Sequence, residues 1–315
     1  MDLRQFKQNL SIKILNKIIE IYGSKSTDEL ILAGNYNQDK IIDLNQSNLI
    51  EEEIPLFYLD QNVMNDLAIK CPNLTKISFE YLDLSRFNFE LFLSFKKLKE
   101  ITFKWCNISE NWFDVKDNKD NNRILTKHDS ITSLHLSRTG SLNKNDIENI
   151  CVLMPNLKNF SISQSQSTIS DDSIEIIVKH LKNLQELDLI NTLISDNAIF
   201  TICQSVELCK SLKRLNLCMS CSLSNNCLTA IADNLINLKT LYLTSCFGIS
   251  NANLFTNLNK LVYLNLNNTS IDKNEIKKTL LPMLPTTEIE YGHEKMLNRK
   301  LMWTINGSRN CVCSF

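Results

Sequence analysis

The chain is predicted to be an α/β solenoid, a horseshoe with parallel strands on its concave face and helices on its convex face. Three observations lead there. One apolar phrase returns eight times, opening at Leu74, Leu98, Ile131, Leu157, Leu184, Leu212, Leu238 and Leu261, so successive openings lie 24, 33, 26, 27, 28, 26 and 23 residues apart. A recurrence in this range belongs to stacked structural repeats. Inside each phrase apolar residues alternate with polar ones, the period of a strand with one buried face. After each phrase comes a short polar hinge and then apolar residues at helical spacing.

The stretch LQELDLINTLISDNAI shows one unit. Leu187 and Leu189 alternate with Glu186, Asp188 and Ile190, which predicts the strand. Ile194 is followed by Ser195 and Asp196, both good helix N-cap types, and then by Ala198, Ile199 and Ile202 along one helical face. The hinge recurs as Ile169-Ser170-Asp171, Leu223-Ser224-Asn225, Ile249-Ser250-Asn251 and Ile271-Asp272. A single coil leaves its apolar face uncovered. At ~2 kcal/mol for each fully buried leucine, stability comes from adding neighbours.

A less regular phrase, Ile41-Ile42-Asp43-Leu44 with Ser47, opens the array, and a partial one, Glu288-Ile289-Glu290-Tyr291, closes it. This divides the chain into an N-terminal helical cap (1–40), the repeats (41–291) and a C-terminal cap and tail (292–315). In the cap, Leu10, Ile14, Leu15, Ile18, Ile19 and Ile21 fall on one face of an amphipathic helix that Gly23 can stop. The longest interval contains NWFDVKDNKDNNRIL, whose charged centre lacks periodicity. It reads as a mobile inserted loop between Asn111 and Ser130 that folding can do without.

Composition narrows the function classes. A stack has no single core to outgrow, so 315 residues are read as one continuous domain. Lys plus Arg number 34 against 35 Asp plus Glu, a net charge of −1, and no global field draws the chain to nucleic acid or anionic membrane. No run nears the ~20 apolar residues of a membrane span and no leader pattern opens the chain. The expected location is the cytoplasm, with the nucleus as the alternative.

The 11 cysteines are odd in number and do not suggest a disulfide framework. Cys106 and Cys246 share a slot with Thr139, Ser165, Thr192 and Thr269, five residues after the middle apolar residue of the phrase, where a small side chain can bond nearby backbone. Cys218, Cys221 and Cys227 lack the second pair or histidine that structural zinc requires, so no metal is expected. Val312 stands fourth from the end, which removes Cys311 and Cys313 from prenylation. His128, His135, His180 and His293 are scattered, no phosphate loop or GxGxxG is present, and neither cofactor nor enzymatic activity is expected.

The LxxLxLxxC-type strands, the Ile-Ser-Asp hinge and the ~26-residue pitch resemble the cysteine-containing leucine-rich repeats of F-box proteins and of antagonist-of-mitotic-exit-network proteins, from roughly Asp39 to Tyr291. The resemblance implies protein binding. In F-box members the solenoid holds a ubiquitylation substrate while the F-box engages Skp1 and a cullin ligase. LSIKILNKIIEIY resembles an F-box opening, which makes Leu10, Ile14 and Ile18 candidates for binding an adaptor, Skp1 or elongin C. Ser11 replaces the usual proline, an elongin-binding box would carry cysteine where Ile14 stands, and the later F-box signature is absent. The segment therefore resembles a degenerate F-box or the front end of a cullin-2-type receptor.

The alternation sends Arg214, Tyr242 and Tyr263 to the concave surface, on what the repeat alignment makes one outward row, and Asp188 and His135 are further partner-binding candidates there. Tyrosine and arginine are enriched among binding hot spots. Cys218 is also placed outward, Trp105 is expected to wedge against the next turn, and Phe247 lies at the rim. The expected function is a protein-interaction module, a substrate receptor or adaptor of a cullin-type ubiquitin ligase. The alternative is a non-ligase scaffold or inhibitor that grips one protein in its concavity.

Overall fold

The computed structural model describes residues 28–33, 57–58, 61–86, 88–114, 127–140, 142–163, 169–292 and 294–296. Its strands are β1 (Glu29–Ala33), β2 (Phe57–Tyr58), β3 (Lys76–Glu80), β4 (Leu82–Asp83), β5 (Glu100–Lys104), β6 (Ser133–Ser137), β7 (Asn159–Ser163), β8 (Glu186–Ile190), β9 (Arg214–Asn216), β10 (Thr240–Tyr242), β11 (Tyr263–Asn265), β12 (Glu288–Tyr291) and β13 (Glu294–Met296). Apart from β2 and β4, which pair with each other, they form one open sheet in sequence order. Every neighbour is parallel until β13 folds back antiparallel on β12. The fold is a leucine-rich repeat solenoid.

Parallel neighbours require a crossover between strands. On the convex side α1 (Gln61–Lys70), α2 (Lys144–Leu153), α3 (Asp171–His180), α4 (Asp196–Gln204), α5 (Val206–Ser211) and α6 (Asn225–Asn234) supply it, with 3-10 turns at Phe89–Ser94 and Ala252–Phe255. The core lies between the layers. Leu187 of β8 is in register with Phe160 of β7 and Leu215 of β9, and all three are buried. The N-terminal coils use larger rings: Phe79 stacks on Phe103 at 5.4 Å and Phe92 meets both edge-on.

The polar hinge links coils as well as starting helices. Asp171 accepts from the Ser195 backbone N–H at 2.7 Å and from its hydroxyl at 2.5 Å. One coil later Asp196 does the same for Ser224, at 2.8 and 2.5 Å. In the next coil Asn225 holds Ser250 through two bonds of 2.9 Å. Ser195 and Ser224 in turn accept from Asn197 and Asn226 as N-caps.

Seven residues after the opening of seven of the phrases the backbone turns left-handed, at Tyr81, Trp105, Arg138, Asn191, Met219, Ser245 and Asn268, with φ between 52 and 62°; the corresponding position in the Leu157 phrase lies outside the described residues. Asparagine suits this conformation, whereas bulky residues are uncommon there. In the first three of these coils the residues stack: the Tyr81 and Trp105 rings lie 5.9 Å apart, and the Arg138 guanidinium carbon sits 3.9 Å from the Trp105 ring centre.

Two sequence expectations are corrected. The sheet begins at β1, within the stretch assigned to the helical cap, because Leu30 and Leu32 alternate with Glu29 and Ile31 and are buried on the core side. The amphipathic segment from Leu10 to Tyr22 and the phrase at Ile41 lie outside the described residues. The insertion also begins later than expected. Trp112 and Phe113 are core residues, with the Trp112 indole donating to the Leu84 carbonyl at 3.0 Å and packing against Phe89 and Phe103. Their burial was masked by the polar run that follows; residues 115–126 lie outside the described set, as does the tail beyond Met296.

Candidate functional site

Strand register sorts the concave side chains into rows. Glu186, Arg214, Thr240, Tyr263 and Glu288 are cross-strand partners, and Asp188, Asn216, Tyr242, Asn265 and Glu290 form the next row. Arg214, Tyr242 and Tyr263 therefore do not share a row. Tyr242 stands four residues after its phrase opening, whereas Arg214 and Tyr263 stand two after theirs; Thr240 takes the intervening place. The three meet diagonally instead, as long side chains on a sheet can. The Tyr242 and Tyr263 rings are 5.1 Å apart at 47°, and the Arg214 guanidinium carbon lies 4.8 Å from the Tyr242 ring centre.

Arg214 is anchored on its other side by Asp188 at 3.3 Å and more loosely by Glu186 at 4.0 Å. Asp188 Oδ1 and Arg214 Nε find no hydrogen-bond partner among the described residues. Loss of water outweighs attraction here. Burial pushes the Asp188 carboxyl up to about 6, against the pull of Arg214 and with a smaller push from Glu186.

On β11 and β12 a polar network fixes the second tyrosine. The amide of Asn265 donates to Glu290 at 2.9 Å and to the Tyr263 hydroxyl oxygen at 3.2 Å, while its carbonyl oxygen accepts from Thr244 at 2.8 Å. Burial and a hydrogen bond to Glu290 raise the Tyr263 phenol, which stays a neutral donor. The alternation in the sequence already places Asn265 outward beside Tyr263, whereas Glu290 reads there only as part of the closing phrase. The matching two-residue step from Glu288 to Glu290 was the signal that could have found it.

His135 stands apart, since β7 and Ser161 separate it from Asp188. It accepts or donates with Ser133 at 2.9 Å and lines a shallow hollow of about 360 Å³ with Glu100, Thr102 and Lys104. Burial lowers its pKa, opposed by Glu100 and Glu186, so the ring is neutral at pH 7. In this half the bases are matched: Lys76 pairs with Glu100 at 3.2 Å and Lys104 with Glu80 at 3.1 Å.

No protein-family model matches this chain. The solved structures similar to it include the following two. One is internalin C2 of Listeria monocytogenes strain 4b F2365, 18% identical, covering 74% of this chain and 84% of that one, with a TM-score of 0.43. The other is in the yeast Rad7 and Elc1 complex, 14% identical, covering 76% of each chain, with a TM-score of 0.39. Neither likeness bears on what this chain binds.

The remaining candidates fall to packing. Cys218 is fully buried, not outward, because β9 ends at Asn216 and the Cys218 N–H turns back to Asn216 Oδ1 at 3.2 Å. Cys106 and Cys246 donate to the carbonyls of Phe79 and Leu217 at 3.4 and 3.0 Å, and burial pushes both thiols up to about 12. Such thiols are poor nucleophiles. Trp105 combines packing with display: it stacks between Tyr81 and Arg138 yet stays 41% exposed. Among the described residues no group of three His, Cys, Asp or Glu could hold a metal ion, and no helix is long and apolar enough to cross a membrane. The adaptor candidates Leu10, Ile14 and Ile18 lie outside the described residues.

Proposed function

We propose that the chain is a protein-interaction module that holds a protein partner on its concave face and serves as a substrate receptor or adaptor of a cullin-type ubiquitin ligase. The Arg214–Tyr242–Tyr263 cluster carries the first part. Its side chains are of the types that dominate binding energy, and Asp188 and Glu290 already order them, which lowers the entropy lost on docking. The second part is supported by the resemblance of LSIKILNKIIEIY to an F-box opening, with Leu10, Ile14 and Ile18 as the residues that would meet Skp1 or elongin C. A scaffold or inhibitor would use the same concave cluster without that recruitment.

Affinity purification separates the parts. The full chain is compared with a version lacking residues 1–23 and with an Arg214→Ala, Tyr242→Ala, Tyr263→Ala variant whose fold is first checked by circular dichroism. The truncation should lose Skp1 or elongin C together with the cullin and keep the concave partner; the triple variant should do the opposite. Absence of all three ligase components from the full-chain eluate would refute the ligase role. Retention of every partner by the triple variant at equal yield would refute concave docking.

A further inference from the structure

The edge of the solenoid where the chain leaves the helices and enters the strands is built coil by coil. From Thr132 through Lys158, Gln185, Lys213 and Lys239 to Val262, each residue after the first donates its backbone N–H to the carbonyl of the one before, at 2.7 or 2.8 Å. Three residues earlier in three of these coils a second row runs Lys182, Lys210, Ile236. Asn237 ties this row to the next coil, donating to the Lys210 carbonyl at 3.1 Å and accepting from Lys260 Nζ at 2.7 Å. All these lysines are exposed, and among the described residues the ion pairs lie elsewhere. Lys213, like Lys260, meets only a neutral amide, that of Gln185.

Few carboxylates answer them. Asp129, Glu207 and Asp233 share this edge, and the last two bond Ser205 and Asn257, each at 3.2 Å. Glu100, Glu186 and Glu288 stand one residue further on, in the concave row, where each has a partner of its own. Lysine in the last turn of a helix is ordinary, because it answers the partial negative charge there. That accounts for Lys179 and Lys210, but not for Lys158, Lys213 and Lys239, which lie past the helices at the strand entries. The same rows also expose aliphatic side chains. Ile236 takes the slot of Lys210 and Val262 that of Lys239, 56% and 59% exposed, with Val206 and Met283 exposed in the flanking coils. At the opposite edge the helices begin with Asp146, Asp171, Asp196 and Asp272. A net charge of −1 thus conceals a field that runs across the solenoid from one edge to the other.

We propose that the lysine-bearing edge docks on an anionic lipid bilayer, with Lys158, Lys182, Lys210, Lys213 and Lys239 among the lipid phosphates and Ile236 and Val262 set between the headgroups. Charge complementarity supplies the attraction. The aliphatic residues decide which anion is met. Nucleic acid would leave them in water, and the two rows offer neither arginine nor an aromatic ring for bases to stack on. A bilayer interface takes both kinds of side chain, since lysine stems cross apolar surface while their ammonium groups reach the phosphates. Seated this way the solenoid stands on its edge and the concave cluster opens sideways, free for a protein partner. The proposal does not depend on concave docking.

The test is co-sedimentation of the full chain with phosphatidylcholine vesicles made with or without phosphatidylserine, each variant first checked by circular dichroism. The chain should pellet with the phosphatidylserine vesicles and not with the others, and raising the salt should release it. Lys213→Glu with Lys239→Glu should weaken binding by about thirtyfold or more, at roughly fivefold for each lysine lost from the membrane surface. Lys144→Glu with Lys273→Glu makes the same change of charge at the opposite edge and should alter binding little. Ile236→Ser with Val262→Ser keeps every lysine and should still weaken binding by roughly fivefold. Mixed-sequence single-stranded DNA and polyglutamate, followed by anisotropy, are the competing anions. Equal pelleting with both kinds of vesicle or with neither, equal loss in the two charge-reversed variants, unchanged binding by the serine variant, or DNA or polyglutamate held as tightly as the vesicles would each overturn the proposal.

Discussion

Replacing Asp196 by alanine removes one rung between coils while leaving both flanking strands untouched. The Asp196 carboxylate accepts two bonds from Ser224, at 2.8 and 2.5 Å, in a partly buried setting, and it also stands in the first turn of α4. A hydrogen bond to a charged group is worth ~1.5–3 kcal/mol, and water entering a partly buried site recovers some of that. Favourable charge at a helix start adds ~0.3–1 kcal/mol. The expected cost is therefore about 2–3 kcal/mol, read as a shift in the urea midpoint at unchanged slope. Two companions sharpen it. Asp171→Ala removes the equivalent pair to Ser195 and should cost about as much, whereas Asn225→Ala removes neutral, exposed bonds to Ser250 and should cost ~1 kcal/mol or less. Asp196→Asn copies the natural Asn225 rung and should recover about half the loss. If Asn225→Ala costs as much as Asp196→Ala, or if both aspartate variants fall below ~0.5 kcal/mol, the rungs are crystalline-looking but energetically idle.

Leu187→Ala should cost ~2–5 kcal/mol in the same assay, since the side chain is fully buried between Phe160 and Leu215; less than ~1 kcal/mol would contradict the register. Trp112→Ala should cost ~3–5 kcal/mol, while deletion of residues 117–122 should leave the melting temperature nearly unchanged; a comparable drop in both would make the insertion part of the core. Asp188 gives a pH signature. Its folded pKa of about 6 exceeds the unfolded ~3.9, so its contribution to stability is full below pH ~4 and is lost as pH rises through about 6, up to ~3 kcal/mol in all. Asp188→Asn should flatten that part of the stability profile between pH 4 and 7, and an unchanged slope would refute the assignment.

The strands were legible in the sequence because period two survives substitution: Phe160 or Ile101 buries in the leucine column without disturbing register. The hinge was legible as a helix start, but not as a bond between coils, since the partner of Asp196 lies 28 residues away. The concave cluster was half legible. Residue types and outward direction could be read, while the row of Tyr242 depended on counting from Leu238. The Trp112 core failed because a polar loop follows two aromatic residues directly, and window-based reading averages them together. Trp105 was legible as a residue that packs against the next turn, as its stack with Tyr81 and Arg138 shows, while its left-handed backbone leaves the ring partly displayed, which alternation does not describe.

The reversal at β13 has a consequence for how many molecules can join. Parallel strands stacked in sequence order end in an exposed ladder of amides and carbonyls, and another coil, from this chain or a second copy, could continue it indefinitely. Because β13 runs against β12, a newcomer docking there meets a strand pointing the wrong way for the parallel register. End-to-end growth into a filament is thereby discouraged at this edge by direction alone, independently of charge or side-chain bulk.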